Sequence, residues 1–220
     1  MGTREKRVTE RGKKPAVSKI EASRITRDVL IEAAQAIMSE RGGVDFTLSE
    51  VGNRAGMSAA LVQYHFGSKE GLLFASFEQG IGRSLDQLRW LSELKLPAAK
   101  KLRMHIGGVV SAYMQKPFTN RLLHLLIDGA TNEKAQRVAD VYILPIVNFH
   151  RDLISQGVEE GVFRPISEMH FYFLLVGACE HFASRKHVLR YVFNVDDVED
   201  AMRQDYADFV YGVVMNGIAA

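Results

Sequence analysis

The chain has 220 residues, of which 47% are apolar and only five are proline, so it can build one small and one larger folded domain. Its one cysteine, Cys179, excludes an intramolecular disulfide framework and favours a reducing, cytoplasmic setting. The net charge is only +2, and no segment reaches the roughly 18 consecutive apolar residues of a membrane span. We therefore expect no signal peptide and no association with a membrane.

The first 23 residues are the most basic part of the chain. They carry a net charge of +4, whereas the remainder sums to −2. Because this segment has no apolar periodicity, we predict a flexible basic N-terminal arm over residues 1–23. Two interpretations stay open: the arm could follow a phosphate backbone or enter the minor groove of DNA, or it could be a solvated tail.

A long amphipathic helix and then two short helices are predicted after the arm. The long helix has apolar residues at helical spacing and ends at Gly42–Gly43. Thr47 and Glu50 have the spacing of a capping box, which predicts the start of the first short helix. Gly56 then stands where a sharp turn requires a positive φ, and Ser58 is placed to cap the second short helix.

The second short helix has an apolar face and a face suited to DNA. Leu61, Val62 and Phe66 form the apolar face, which we expect to point inward. The outward face begins with small residues, so that the backbone can approach a groove, and continues with polar ones, which can hydrogen bond inside it. These residues are Ala59, Ala60, Gln63 and Tyr64. The two helices and their turn therefore predict a helix-turn-helix DNA reader.

The segment from about Ile25 to Phe77 resembles the N-terminal domain of TetR-family transcriptional regulators. The matching runs are VLIEAAQAIMSERGG, TLSEV, RAGMS, YHF and SKEGLL. The resemblance implies a three-helix DNA-binding domain over residues 24–70, followed by a helical domain over residues 71–220 that binds a ligand and forms dimers. Two positions depart from the family pattern, because Gly52 replaces the usual Ala and Gln63 replaces the most frequent Tyr.

Eight residues of this segment are candidates for contact with a double-stranded, palindromic operator. Ala60 and Gln63 are expected to face the bases, while Tyr64, His65 and Lys69 are expected to meet phosphates. The complete set is Thr47, Ser58, Ala59, Ala60, Gln63, Tyr64, His65 and Lys69.

The rest of the chain is predicted to be helical, which makes the fold class all-α. A long helix after Ser68 is expected to link the reader to the rest, and a helix that starts at Pro97 should end before Pro117. Further helices are predicted at about 118–129, 133–157 with a kink at Pro145, 167–188 and 196–216.

The last two predicted helices are apolar on more than one face. A surface helix normally has one apolar stripe, so something must cover the second. A two-fold homodimer would do so, and in the resembled family the last two helices usually form a four-helix interface. The candidate interface residues are Phe171, Leu174, Phe209 and Val213. An ordinary buried core is the open alternative.

The middle of the chain carries aromatic and titratable residues that suit a largely apolar pocket for a small-molecule effector. We expect these residues to lie on helices that face one another. They are Trp90, Met104, His105, Tyr113, His124, Asp128, Phe149, His150, Cys179 and His181.

Other functions find little support in the sequence. Hydrolase, zinc-protease, P-loop and dinucleotide motifs are absent. Cys179 and His181 are two residues apart and would point to different sides of a helix. We therefore predict no catalytic residue, no metal site and no cofactor. The main prediction is a ligand-responsive, sequence-specific transcriptional regulator, a repressor released from its operator by an effector. The alternative is a helical, dimeric small-molecule-binding protein without a role in DNA regulation.

Overall fold

The computed structural model describes residues 19–128 and 130–220. Within these ranges the chain forms helices and no strand, apart from one isolated antiparallel bridge between Phe163 and Ala219. The helices are α1 Lys19–Arg41, α2 Leu48–Arg54, α3 Ala59–Phe66, α4 Lys69–Glu93, α5 Ala98–Gln115, α6 Thr119–Asp128, α7 Asn132–Val138, a π-helical turn Ala139–Ile143, α8 Leu144–Glu159, α9 Glu168–Ser184, α10 Lys186–Phe193 and α11 Asp200–Ile218. The all-α prediction is confirmed. None of the described helices is both long and apolar enough to span a bilayer.

The N-terminal core packs α1 to α4 together with α6. Leu30, Val51, Val62 and Leu72 are fully buried in it, one from each of the first four helices. Leu122 of α6 is also fully buried in the same core. Burying a side chain of this size stabilises a fold by about 1.5–3 kcal/mol. The N-terminal core thus extends past residue 70, where the sequence suggested a domain boundary, and includes α6, which packs on α4.

The C-terminal core packs α5, α8, α9 and α11 around the end of α4. Leu102 and Ile106 of α5 are fully buried, and Leu175 of α9 and Val214 of α11 are nearly so. Leu91 of α4 is buried in this core, while Leu72 of the same helix is buried in the N-terminal core. Because one helix takes part in both cores, α4 is the link that the sequence predicted.

Several predicted boundaries need correction. Helix α1 begins at Lys19, so residues 19–23 of the predicted arm are helical, and residues 1–18 of the arm lie outside the described residues. The kink expected at Pro145 is a π-helical turn that directly precedes α8. A proline has no N–H to donate, and the wider turn accommodates that lost hydrogen bond. The helix predicted over 167–188 is interrupted at Arg185, whose φ of −102° and ψ of 49° are not helical.

Candidate DNA-binding surface and effector cavity

The predicted capping box fixes the start of α2. The Glu50 N–H donates to Thr47 Oγ1 at 3.2 Å, and the Thr47 N–H donates to Glu50 Oε2 at 2.7 Å. Arg41 at the end of α1 donates to Glu50 Oε1 at 2.5 Å. The carboxylate accepts hydrogen bonds from Arg41, from the Thr47 N–H and from the Thr47 hydroxyl, and these, with that from Arg41 foremost, lower the pKa of Glu50 to about 2. Thr47 therefore positions α2, and its hydroxyl is already engaged.

The turn between α2 and α3 depends on two glycines. Gly56 has a φ of +68°, a value that residues with a Cβ rarely adopt. A Cβ atom on Gly52 would lie 2.8 Å from the Met57 carbonyl oxygen and 3.1 Å from the Ala59 nitrogen. The departure from Ala at Gly52 therefore allows a close approach between α2 and α3, in addition to the propensity cost expected from the sequence.

Helix α3 presents the predicted outward face to solvent. Val62 is fully buried beneath it, while Ala60 and Gln63 are exposed and Tyr64 is 81% exposed. Ala59 is half-buried. The side-chain amide of Gln63 donates to the carbonyl oxygen of Gly67. An exposed amide can exchange this local partner for the edge of an adenine, to which Gln can form two hydrogen bonds.

The remaining candidates lie at the edges of α3. The Ser58 hydroxyl caps α3 by accepting from the Leu61 N–H at 3.2 Å, so its role is positional in the free chain. His65 is half-buried, with its ring centroid 5.3 Å from that of Tyr64 in an edge arrangement. Lys69 is the first residue of α4, a position from which its ammonium could meet a phosphate, as the sequence predicted.

Lys69 has partners within the chain that the sequence did not suggest. Its Nζ lies 3.7 Å from Asp45 Oδ1 and 5.0 Å from the centroid of the Phe46 ring. The Asp45 side chain is fully exposed, so this ion pair is weak and readily exchanged.

The sequence analysis did not predict an ion pair that joins α2 to α1. Arg54 of α2 donates from Nη1 to Glu40 Oε2 at 2.6 Å, and from Nη2 to the other carboxylate oxygen. The two residues are fourteen positions apart on different helices, so no helical spacing in the sequence signals the contact. A two-pronged arginine pair of this kind fixes orientation as well as distance.

A cavity of about 240 Å³ lies between α4, α5, α8 and α9, with Thr119 of α6 at one end. Much of its wall is apolar, including Ile81 and Leu88 of α4 and Val109 of α5. Polar groups in the wall include Gln87 and Ser111. An apolar chamber with a few polar groups is the usual design of a small-molecule site.

Three of the ten candidate effector-binding residues line this cavity: His105, Tyr113 and His150. Four others are exposed and lie outside its wall, namely Trp90, His124, Asp128 and His181. The last three pack elsewhere in the C-terminal core, with Met104 half-buried and Phe149 and Cys179 buried. Seven of the ten candidate residues therefore do not line this cavity. Helical periodicity identifies the apolar side of a helix but not which part of that side adjoins a void.

The two cavity histidines form a buried pair. His105 Nε2 and His150 Nε2 are 2.8 Å apart, so one ring donates its proton to the other. Burial lowers the pKa of His105 well below its usual range, with a further contribution from His150, and burial lowers the pKa of His150 to about 4. Both rings are therefore neutral near pH 7. His150 Nδ1 is buried and has no hydrogen-bond partner among the described residues.

Three of the four candidate interface residues are exposed in the single chain. Leu174 is 53%, Phe209 65% and Val213 52% exposed. The expectation for Phe171 needs correction, because this residue is only 2% exposed. Its ring centroid lies 4.8 Å from that of His150, inside the chain. Phe173, an apolar residue of the same helix that was not among the four candidates, is 67% exposed. On apolar helices such as these, the sequence alone does not distinguish the inner face from the outer one.

Comparisons with known proteins agree with both halves of this architecture. Residues 30–76 match the model of bacterial regulatory proteins of the tetR family. Residues 95–220, more than half of the chain, match the model described as tetracyclin repressor-like, C-terminal domain.

Individual relatives fall in the same group. The HTH-type transcriptional repressor NicS of Pseudomonas putida is 26% identical over 199 residues, which cover 88% of this chain and 92% of NicS. The HTH-type transcriptional regulator BetI of Rhizobium meliloti is 37% identical over 62 residues, 28% of this chain and 30% of BetI.

Solved structures share the fold. AibR in complex with isovaleryl coenzyme A and operator DNA superposes with a TM-score of 0.64 at 20% identity, covering 86% of this chain and 97% of AibR. FadR from Bacillus subtilis in complex with stearoyl-CoA has a TM-score of 0.65 at 18% identity, covering 87% and 98%. Together with the two family models, these relatives show that the chain belongs to the tetR family of bacterial regulatory proteins and is a DNA-binding transcriptional regulator.

Proposed function

We propose that the chain is a homodimeric repressor whose operator affinity falls when a small effector occupies the cavity. The observation that carries this proposal is the course of α4. Its first residue, Lys69, lies beside the reader, and its later residues Ile81 and Leu88 line the cavity. A displacement of α4 by an effector would therefore move the reader that is packed on it.

The proposed DNA contacts follow from exposure and chemistry on α3. Gln63 and Ala60 form the base-reading surface within a reader of residues 24–70, while Tyr64, His65 and Lys69 hold phosphates. The basic arm adds sequence-independent attraction to the backbone. Access to chromosomal DNA requires a cytoplasmic location, which is part of the proposal.

The proposed dimer interface lies on α9 and α11. Phe173 and Leu174 of α9, and Phe209 and Val213 of α11, are large apolar side chains that are more than half exposed. Exposing such a cluster to water is unfavourable, and a two-fold partner with the same face would bury both copies. His181 lies seven residues after Leu174, which places it on the same face of α9 rather than in the cavity.

The dimer gives the regulator its operator geometry. Two readers related by a two-fold axis would contact half-sites about 34 Å apart, so we expect a palindromic operator. An effector that binds more tightly to a differently spaced dimer lowers operator affinity by its differential affinity for the two states. Relatives support this scheme: NicS is named a repressor, and AibR binds both isovaleryl coenzyme A and operator DNA.

Catalysis is not part of the proposal. The Cys179 thiol is buried, and burial raises its pKa to about 12, so it carries no nucleophilic thiolate near pH 7. His181 lies two positions after Cys179 on α9, so the two side chains point to different sides of the helix. The alternative of a dimeric ligand-binding protein without DNA regulation is disfavoured by the complete caps and exposed outer face of α3.

The proposal can be tested in two steps. Genomic fragments are first selected on the purified dimer and checked by gel shift, and a metabolite library is screened for compounds that raise its Tm. Each stabilising compound is then tested for release of the selected operator. We expect release by compounds that lose binding when Ala112, in the cavity wall, is replaced by Trp. Failure to select any fragment, or stabilising compounds that leave operator binding unchanged, would contradict the proposal.

A further inference from the structure

The two ends of the cavity can be distinguished from the way in which α4 and α5 pack along it. At one end, a Cβ atom on Gly80 would lie 3.7 Å from Lys116 Cδ. Farther along, a Cβ atom on Gly108 would lie 3.0 Å from Gln87 Nε2. The two helices are thus antiparallel, and Leu91 and His105 lie toward the opposite end from Lys116.

The Lys116 end of the cavity is cationic. Arg83 and Lys116 both line the wall, and within the described residues neither forms an ion pair. Burial lowers the pKa of Lys116, nearby Arg83 lowers it further, and Glu32 partly opposes both. No Asp or Glu is found among the described residues of the wall. Two cations at one end of a cavity whose described wall has no carboxylate favour an anion from outside the chain.

The histidine end offers an unused hydrogen-bonding atom. His150 is 1% exposed, lines the wall and has no partner for its Nδ1 among the described residues. Since His105 pairs with the other nitrogen of the ring, Nδ1 is the ring atom left without a partner among the described residues. An unpaired buried polar atom is costly, so a ligand group that pairs with it gains affinity.

The space between the two ends is largely apolar and small. Ile81, Leu88, Val109 and Val176 contribute to it, and the whole cavity measures about 240 Å³. From Arg83 to Leu91, α4 rises about 12 Å, at roughly 1.5 Å per residue. These dimensions suit a ligand smaller than the drug-sized molecules that fill pockets of about 300–1,000 Å³.

We propose that the effector is a small organic acid whose anionic group meets Arg83 and Lys116, and whose apolar body ends in a hydrogen-bonding group at His150. This inference rests on the proposed function, since it names the chemical class that the effector cavity accepts. The anion supplies the missing counter-charge, the body fills the apolar middle, and the distal group pairs with Nδ1.

Simple probes of equal length test the proposal without DNA. Calorimetry on the dimer compares octanoate, octan-1-ol, octylamine and 8-hydroxyoctanoate. We expect octanoate to bind about 10- to 100-fold more tightly than octan-1-ol, as for a hydrogen bond to a charged group. Octylamine should bind most weakly, and 8-hydroxyoctanoate more tightly than octanoate. Equal affinity for octanoate and octan-1-ol would overturn the proposal, and so would no gain from the distal hydroxyl.

Variants of the cavity wall test which residues contact each end of the probe. Lys116→Ala and Arg83→Ala should each reduce the preference for octanoate over octan-1-ol, whereas Arg89→Ala should not, because Arg89 of α4 lies outside the wall and pairs with Asp86. His150→Phe should remove only the advantage of 8-hydroxyoctanoate. Because the comparison among probes is made on the unaltered chain as well, an unfolded His150 variant leaves the test complete. An unchanged preference in both cation variants would overturn the assignment.

Two further measurements identify the source of the anionic group and distinguish a failure of this inference from a failure of the proposed function. Octanoyl-CoA is compared with octanoate, since the phosphates of coenzyme A could supply the negative charge in place of a carboxylate. Loss of binding to octanoyl-CoA in Lys116→Ala with octanoate unaffected would overturn the carboxylate assignment, and the reverse pattern supports it. Operator release is measured separately. Acid binding without release contradicts the proposed function alone, while effector-sensitive operator binding with no preference for anions contradicts this inference alone.

Discussion

Arg121 Nη1 donates a hydrogen bond of 2.9 Å to the carbonyl oxygen of Gly42. Arg121 lies on α6, two residues after Thr119 in the cavity wall, and Gly42 lies in the turn between α1 and α2. One helix therefore contacts both the cavity and the reader domain. This is a second connection between effector and DNA sites, in addition to α4.

Removing that hydrogen bond is expected to weaken the communication between the two sites. Arg121→Ala should lower the effect of an effector on operator affinity by about 0.5–2 kcal/mol, with each ligand still binding alone. Operator titrations with and without effector measure this coupling. Arg151→Ala is the control, because Arg151 pairs with Glu168 inside the C-terminal half. Equal coupling in Arg121→Ala and the unaltered chain would exclude α6 from the mechanism.

The base-reading assignment is tested at Gln63. Gln63→Ala should cost about 1–3 kcal/mol of affinity for the operator, because two hydrogen bonds to one base edge are lost, and should leave random DNA nearly unaffected. Gel shifts on both DNAs provide the comparison, and Gln204→Ala on α11 is the matched control. A similar loss on random DNA would mean that Gln63 only contacts the backbone.

The phosphate assignment is tested with opposite changes at Lys69 and Asp45. Lys69→Ala should weaken binding to every sequence and reduce the slope of log K against log salt by about one. Asp45→Asn should strengthen binding, because it removes a negative charge 3.7 Å from the Lys69 ammonium that would otherwise repel phosphate. If Lys69→Ala lowers the Tm without altering the salt slope, Lys69 serves the fold rather than DNA.

The buried histidine pair predicts acid sensitivity. The pKa values of the two histidines are lowered in the folded state, to about 4 for His150, whereas a histidine in the unfolded chain has a pKa of about 6.5. Between these values the unfolded chain binds protons that the folded chain refuses, so the free energy of unfolding should fall as the pH falls. Urea unfolding between pH 7 and pH 4 measures the slope. His150→Phe should flatten it, and His187→Gln, on exposed α10, should not.

A charge in the proposed interface should separate the protomers. In Val213→Glu, each carboxylate would be desolvated beside its symmetry mate, so sedimentation should show a shift toward monomer. A monomer has lost the linked second half-site, and its operator affinity should fall about 100-fold or more. Val158→Glu is the control, because Val158 is a partly exposed valine on α8. A dimeric Val213→Glu variant would place the interface elsewhere.

The sequence predicted local structure well, because local rules determine it. The capping box at Thr47, the positive φ at Gly56 and the cap at Ser58 were all confirmed. Each of these depends on residues a few positions apart, so their spacing is visible in the chain. The same holds for the start and end of α5.

Tertiary placement was harder to predict. Cys179 and Phe149 have the apolar character of cavity residues, yet they pack in the core beside the cavity. Phe171 and Leu174 are three positions apart on one apolar helix, but one is buried and the other exposed. The break at Arg185 has no Gly or Pro beside it, so nothing local signals it. These outcomes depend on which helices meet, and that is decided across the whole chain.

Hydroxyl-radical footprinting of the dimer on its selected operator tests the central claim most directly, namely that two α3 helices related by a two-fold axis read the DNA together. We expect two symmetric protected segments centred about 34 Å apart, with both lost together on effector binding. A single protected segment, or a symmetric footprint that persists when the effector is bound, would contradict the account.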